Sequence, residues 1–170
     1  WHSEYVGVLN ETENALNLNG WVSMDNRSGA TYTDAKLKVV AGEINRVKRQ
    51  PRPVLRRGQA LAMEAMADEG FSEKSFFDYH LYTLQRPATV KNNQTKQLTL
   101  IPEVEAKTVK RYTYQAQKDP RTVAVTVTFR NDKGSGLGIP LPAGKFRIYK
   151  ADDDGALVFL GEDEIQHTPK

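Results

Sequence analysis

From Thr122 to Phe129 the side chains alternate without a break. Val123, Val125, Val127 and Phe129 fall on one side, and Thr122, Ala124, Thr126 and Thr128 on the other. A period of two is the geometry of an extended chain with one face buried, and no helix can satisfy it. The same kind of segment recurs along the chain. Ser75–Leu84 places Phe77, Tyr79 and Leu81 on one face and Phe76, Tyr82 and Leu84 on the other, which predicts a central strand covered on both sides. Further strands are expected at Tyr5–Leu9, Leu16–Met24, Ala35–Ala41, Lys96–Ile101, Thr108–Gln115, Lys145–Lys150 and Leu157–Leu160.

Turn chemistry separates these segments. Asn10-Glu11-Thr12-Glu13-Asn14 joins the first two, Asn26-Arg27-Ser28-Gly29 ends the second, and Asp152-Asp153-Asp154-Gly155 divides the last two. Nine short strands punctuated in this way predict an all-β fold, an antiparallel two-sheet β-sandwich.

One stretch breaks the pattern. Gln50-Pro51-Arg52-Pro53 suits neither a helix interior nor a central strand, whereas Gly58 to Glu69 is rich in helix formers. Residues 45–73 therefore read as an insertion, a basic loop followed by a short helix. That helix carries a narrow apolar stripe of Leu61, Met63 and Met66, read as a face docked on its own sandwich rather than on a partner. The 170 residues suffice for one module with a sizeable core, so 1–170 is taken as a single domain. No apolar run approaches the 18 residues of a membrane-crossing helix. The start, Trp1-His2-Ser3-Glu4, has neither a basic nor an apolar leader and no Met, and is read as the cut end of a longer chain.

Cysteine is absent, which removes disulfides, thiolate metal sites and thiol nucleophiles together. The net charge of +3 is unevenly spread. Six of the 24 basic residues, Arg46, Lys48, Arg49, Arg52, Arg56 and Arg57, lie in one segment with no acid among them. The other 18 face 21 acidic residues, a net of −3. This cluster is the candidate anion-binding site, because arginine suits bidentate contact with phosphate or carboxylate. The competing reading is a solvated loop. No aromatic residue interleaves the cluster, which argues against single-stranded nucleic acid.

Three other motifs resolve toward structure. The acids of Asp152-Asp153-Asp154-Gly155 are consecutive, so their side chains diverge where a calcium loop would alternate them, and a hairpin turn is expected. Gly134-Ser135-Gly136-Leu137-Gly138 leads into Ile139-Pro140-Leu141-Pro142, which cannot begin the helix a phosphate loop requires. The histidines, His2, His80 and His167, show no metal-binding spacing. His80 is expected as a hydrogen-bonded sheet residue. His167 near Asp163 lacks any nucleophile motif to serve as a base. No catalytic residue, metal or cofactor is assigned.

Three stretches resemble a bacterial family. They are Asn26 to Asn45 (with Asn26-Arg27-Ser28-Gly29 and Ala35-Lys36-Leu37-Lys38-Val39), Tyr79 to Leu98, and Gly136 to Lys150 continuing through Phe159-Leu160-Gly161-Glu162-Asp163 to His167-Thr168-Pro169-Lys170. Together they resemble the domain of unknown function shared by mucoidy-inhibitor-like and other secreted bacterial envelope proteins. The resemblance implies an extracytoplasmic β module that continues past His167-Thr168-Pro169-Lys170, with 45–73 as a variable loop, and it carries no catalytic residues over. The expected function is a non-enzymatic envelope module for protein or surface interactions. The alternative is a binder of an anionic envelope polymer, a glycan or a lipid, through residues 46–57.

Overall fold

The computed structural model describes residues 1–41, 64–65, 71–76, 79–117 and 119–169. These are nearly all strand. In chain order they form β1 (His2–Leu9), β2 (Ala15–Asn26), β3 (Tyr32–Ala35), β4 (Lys38–Ala41), β5 (Glu64–Ala65), β6 (Phe71–Phe76), β7 (Tyr79–Leu84), β8 (Ala88–Val90), β9 (Gln94–Tyr114), β10 (Val123–Phe129), β11 (Gly144–Ala151) and β12 (Leu157–Ile165), with one 3-10 turn at Lys133–Ser135. A curled sheet runs β10-β9-β2-β1-β11-β12, with β5 also on β9. Two smaller sheets pair β3 with β8 and order β4-β7-β6.

The all-β expectation holds, but the pairing is not antiparallel throughout. β1 runs parallel to β11 from Ser3↔Gly144 to Leu9↔Lys150, and β5 runs parallel to β9. Period two says which residues share a face and nothing about which strand lies alongside, so a parallel neighbour 141 residues away leaves no local trace. The predicted helix at 58–69 is described only at Glu64 and Ala65, and these are extended and paired with Lys96 and Gln97. Among the described residues there is no α-helix. The Leu61, Met63 and Met66 stripe lies outside the described residues.

Four strand expectations change form. Ala35–Ala41 splits into β3 and β4, which belong to different sheets. Ser75–Leu84 straddles two strands, β6 and β7, paired antiparallel up to Phe76↔Tyr79. Conversely, Lys96–Ile101 and Thr108–Gln115 belong to one strand, β9, which passes straight through Pro102. The register explains how. Leu18 faces Val104 and Gly20 faces Ile101, so two β9 residues, Pro102 and Glu103, oppose Asn19 alone. A bulge of this kind takes the one residue that has no amide to give the ladder.

The buried cluster joins the curled sheet (Tyr5, Leu16, Leu18, Val22, Ile101, Phe146) to the three-stranded sheet (Val39, Ala41, Tyr82). Between them runs a proline-rich segment whose Pro140, Leu141 and Pro142 are fully buried. A segment with so few amides is cheap to bury, but its carbonyls still need donors. The Tyr5 hydroxyl donates to the Pro142 carbonyl at 2.8 Å and the Tyr82 hydroxyl to that of Pro140 at 2.8 Å. Leu141 exchanges both backbone bonds with Thr168 (2.8 and 2.9 Å). Asn131 donates to the Ile139 carbonyl at 2.6 Å and accepts from the Gly138 amide at 3.2 Å. The glycine-rich approach is a sharp turn. Gly136 has φ +96°, and a Cβ there would lie 2.0 Å from the Glu105 carbonyl oxygen.

Two stability predictions follow from this junction. Tyr5→Phe and Tyr82→Phe should each cost about 1–3 kcal/mol, because each strands a buried carbonyl. Gly136→Ala should cost more than about 1 kcal/mol, through positive φ and the clash with strand β9. Urea unfolding monitored by circular dichroism measures all three, and an unchanged midpoint would refute the corresponding contact.

Candidate functional site

The curl of the large sheet brings its two outer strands, β10 and β12, to the walls of one trough of about 560 Å³. Its floor comes from Leu9, Phe146 and Ile148, and its walls from Val125, Val127 and Leu160 among others. The β10 stripe is only partly covered. Val127 and Phe129 pack against the core, with Phe129 5.5 Å from Phe146, whereas Val123 and Val125 are 51% and 55% exposed. On β12 four consecutive apolar residues, Leu157 to Leu160, are 46–57% exposed.

A charged knot closes one side of the trough. Glu13 sits at φ +60° in the turn between β1 and β2. The turn is shaped by Asn10, whose side-chain oxygen accepts from the Asn14 amide at 3.0 Å, and is tied to β9 by the Thr108 hydroxyl, which donates to the Glu13 carbonyl at 3.0 Å. Its carboxylate accepts a short hydrogen bond from Lys110 of β9 and one of 2.7 Å from Lys150 of β11. Those two ammonium groups, Lys110 first, hold the Glu13 carboxyl at about 2, below its ordinary 4.5. In return Glu13 raises the pKa of Lys110.

A second polar array crosses five strands on another part of the sheet. Glu4 of β1 accepts from Ser23 of β2 (3.2 Å), Gln97 of β9 (3.3 Å) and Arg147 of β11 (3.4 Å). Arg147 also reaches Glu162 of β12 at 3.4 Å, and Lys145 donates to Glu162 at 3.1 Å. The Lys145 hydrogen bond is the main cause of a lowered Glu162 pKa. Glu13 and Glu162 are thus held as carboxylates, opposite to the raised carboxyl that a general acid needs.

Neither Asp152–Gly155 nor the histidines are among the residues that line the trough. Asp152–Gly155 is the β11–β12 turn, with Gly155 at φ +83°. Its acids bind backbone, Asp152 taking the Asp153 amide and Asp154 the Ala156 amide, each at 2.8 Å. His167 packs on His80, with ring centroids 4.8 Å apart, and burial is the first cause of its lowered pKa. Among the described residues no three metal-ligating side chains converge, and no helix is long and apolar enough to cross a membrane. The anion-binding candidates Arg46, Lys48, Arg49, Arg52, Arg56 and Arg57 lie outside the described residues. Nothing local in the sequence marks Glu13, Lys110 and Lys150 as partners, because 97 and 137 positions separate them.

Comparison of the chain with family profiles, curated proteins and solved structures finds no match.

The knot gives a pH prediction. Since the unfolded carboxyl protonates first as pH falls, Glu13's contribution is complete above about 4.5 and drains away toward about 2. Glu13→Gln should therefore lower stability at pH 7 and flatten its fall between pH 5 and pH 2. Thermal melts across that range test it, and parallel curves for the two proteins would refute it.

Proposed function

We propose that this chain is a non-enzymatic interaction module of the bacterial cell envelope, working outside the cytoplasm and engaging a protein partner or an envelope surface. The observation that carries the reading is the pair of outer strands, β10 and β12, that flank an apolar trough with half-exposed Val123, Val125 and Leu157 to Leu160. An outer strand presents a row of amides and carbonyls ready to pair, and exposed apolar side chains beside it reward the pairing. The reading as a two-layer sandwich is supported by the core shared between the curled and three-stranded sheets. The extracytoplasmic setting rests on the resemblance to the mucoidy-inhibitor-like envelope family.

Capture from envelope extract by the immobilised chain tests the reading. A specific protein should be retained by the native chain and lost with Val125→Glu/Leu160→Glu, provided the variant keeps its circular dichroism. Retention that instead collapses with salt, and with neutralisation of Arg46, Lys48, Arg49, Arg52, Arg56 and Arg57, would replace this reading with anionic-polymer binding.

A further inference from the structure

Of the two outer strands, β12 has the more specific chemistry. Phe159 pairs with Tyr149 and Gly161 with Ile148, so Leu160 is the extra residue of a bulge. Leu157, Val158 and Phe159 before it alternate between faces, and with Leu160 all four are half-exposed, which leaves both faces of this half open. Its outer edge has no strand beside it among the described residues. The next three positions but one are acidic: Glu162, Asp163 and Glu164. Glu162 is taken up by Lys145 and Arg147 of the neighbouring strand. Asp163 and Glu164, both exposed, have no cation at ion-pairing distance among the described residues. One edge therefore reads apolar for four residues and then anionic.

That polarity discriminates between occupants. A second copy paired antiparallel about Gly161 would set Val158 against Glu164 and Phe159 against Asp163, and a parallel copy would set the acids against each other. Both put carboxylates against apolar or like-charged neighbours. The neutral strand β10 offers no cation within its span, Val123–Phe129. We infer that the β12 edge receives an extended segment of a partner protein by strand addition, running antiparallel, with cationic residues followed by alternating apolar ones. In that direction the cations meet Asp163 and Glu164, and the apolar residues meet Leu157 to Leu160. The antiparallel sense is preferred as the slightly stronger ladder. Backbone bonds supply the adhesion, and the charge-then-apolar order sets the register.

This inference rests on the interaction-module reading, narrowing it to one edge and one partner chemistry. The test uses the whole chain and a labelled ten-residue peptide, blocked at both ends. Its first half is lysine throughout, so that a cation reaches the face of Asp163 and the face of Glu164, and its second half alternates valine with threonine. Fluorescence anisotropy should show saturable binding. Asp163→Lys/Glu164→Lys should weaken it at least tenfold, the reversed-order peptide should bind at least tenfold less well, and N-methylation of alternate peptide amides should abolish it. If the double variant does not fold, a peptide with glutamate for lysine against the native chain asks the same question. Equal binding of the N-methylated or reversed peptide would overturn strand addition, as would a chain that dimerises through β12 and refuses the peptide. Peptide failure with envelope capture intact would sink this inference alone, whereas loss of both would sink the interaction-module reading.

Discussion

Two phenol hydroxyls hold this architecture together. Tyr5 comes from the curled sheet and Tyr82 from the three-stranded one, and each donates to a carbonyl of the same buried segment, Pro142 and Pro140 respectively. The segment lies between the sheets because its prolines bring few donors into the core and its carbonyls find partners there. Burial favours the neutral phenol of Tyr5 and raises its pKa. The tyrosines also fill space, since the Tyr5 ring stacks 5.7 Å from Phe146, which in turn meets Phe129. One contact system thus links β1, β7, β10, β11 and the Pro140–Pro142 segment.

That junction sets where the large sheet stops. Pro140–Pro142 is buried between the sheets, and β10 and β12 are the two ends of the curled sheet rather than neighbours. Their apolar side chains are drawn inward only where Phe129, Val127 and Ile165 reach the core, and the rest line a trough. The Glu13 knot fixes one side of that trough by tying the first turn to β9 and β11. Partly exposed ion pairs of this kind add modest stability, and here three charges from three parts of the chain meet beside the trough.

The alternation of Thr122–Phe129 and the turns at Asn10–Asn14 and Asp152–Gly155 made the strands and two hairpin connections legible from sequence alone. Those signals are local, arising from side-chain direction along an extended backbone and from which residues tolerate tight reversals. The helix formers between Gly58 and Glu69 pointed the other way, and at Glu64 and Ala65 pairing with β9 overrides them. Propensity is a weak preference and a sheet edge that offers backbone partners outweighs it. The candidate site was hardly legible, since Glu13, Lys110 and Lys150 are unremarkable until the register brings them together.

By itself, then, the sequence determined the extended character of the chain, the faces of its strands and the positions of its main turns. It also determined the acidic-after-apolar order along Leu157–Glu164 and the basic segment 46–57. Tertiary structure decided the parallel pairing of β1 with β11, the bulge that absorbs Pro102, the path of the proline segment through the core, and which half of each apolar stripe remains open. The division has one physical reason. Side-chain direction and turn preference depend on a residue and its immediate neighbours, whereas pairing and burial depend on which distant segments compete for the same amides and the same space.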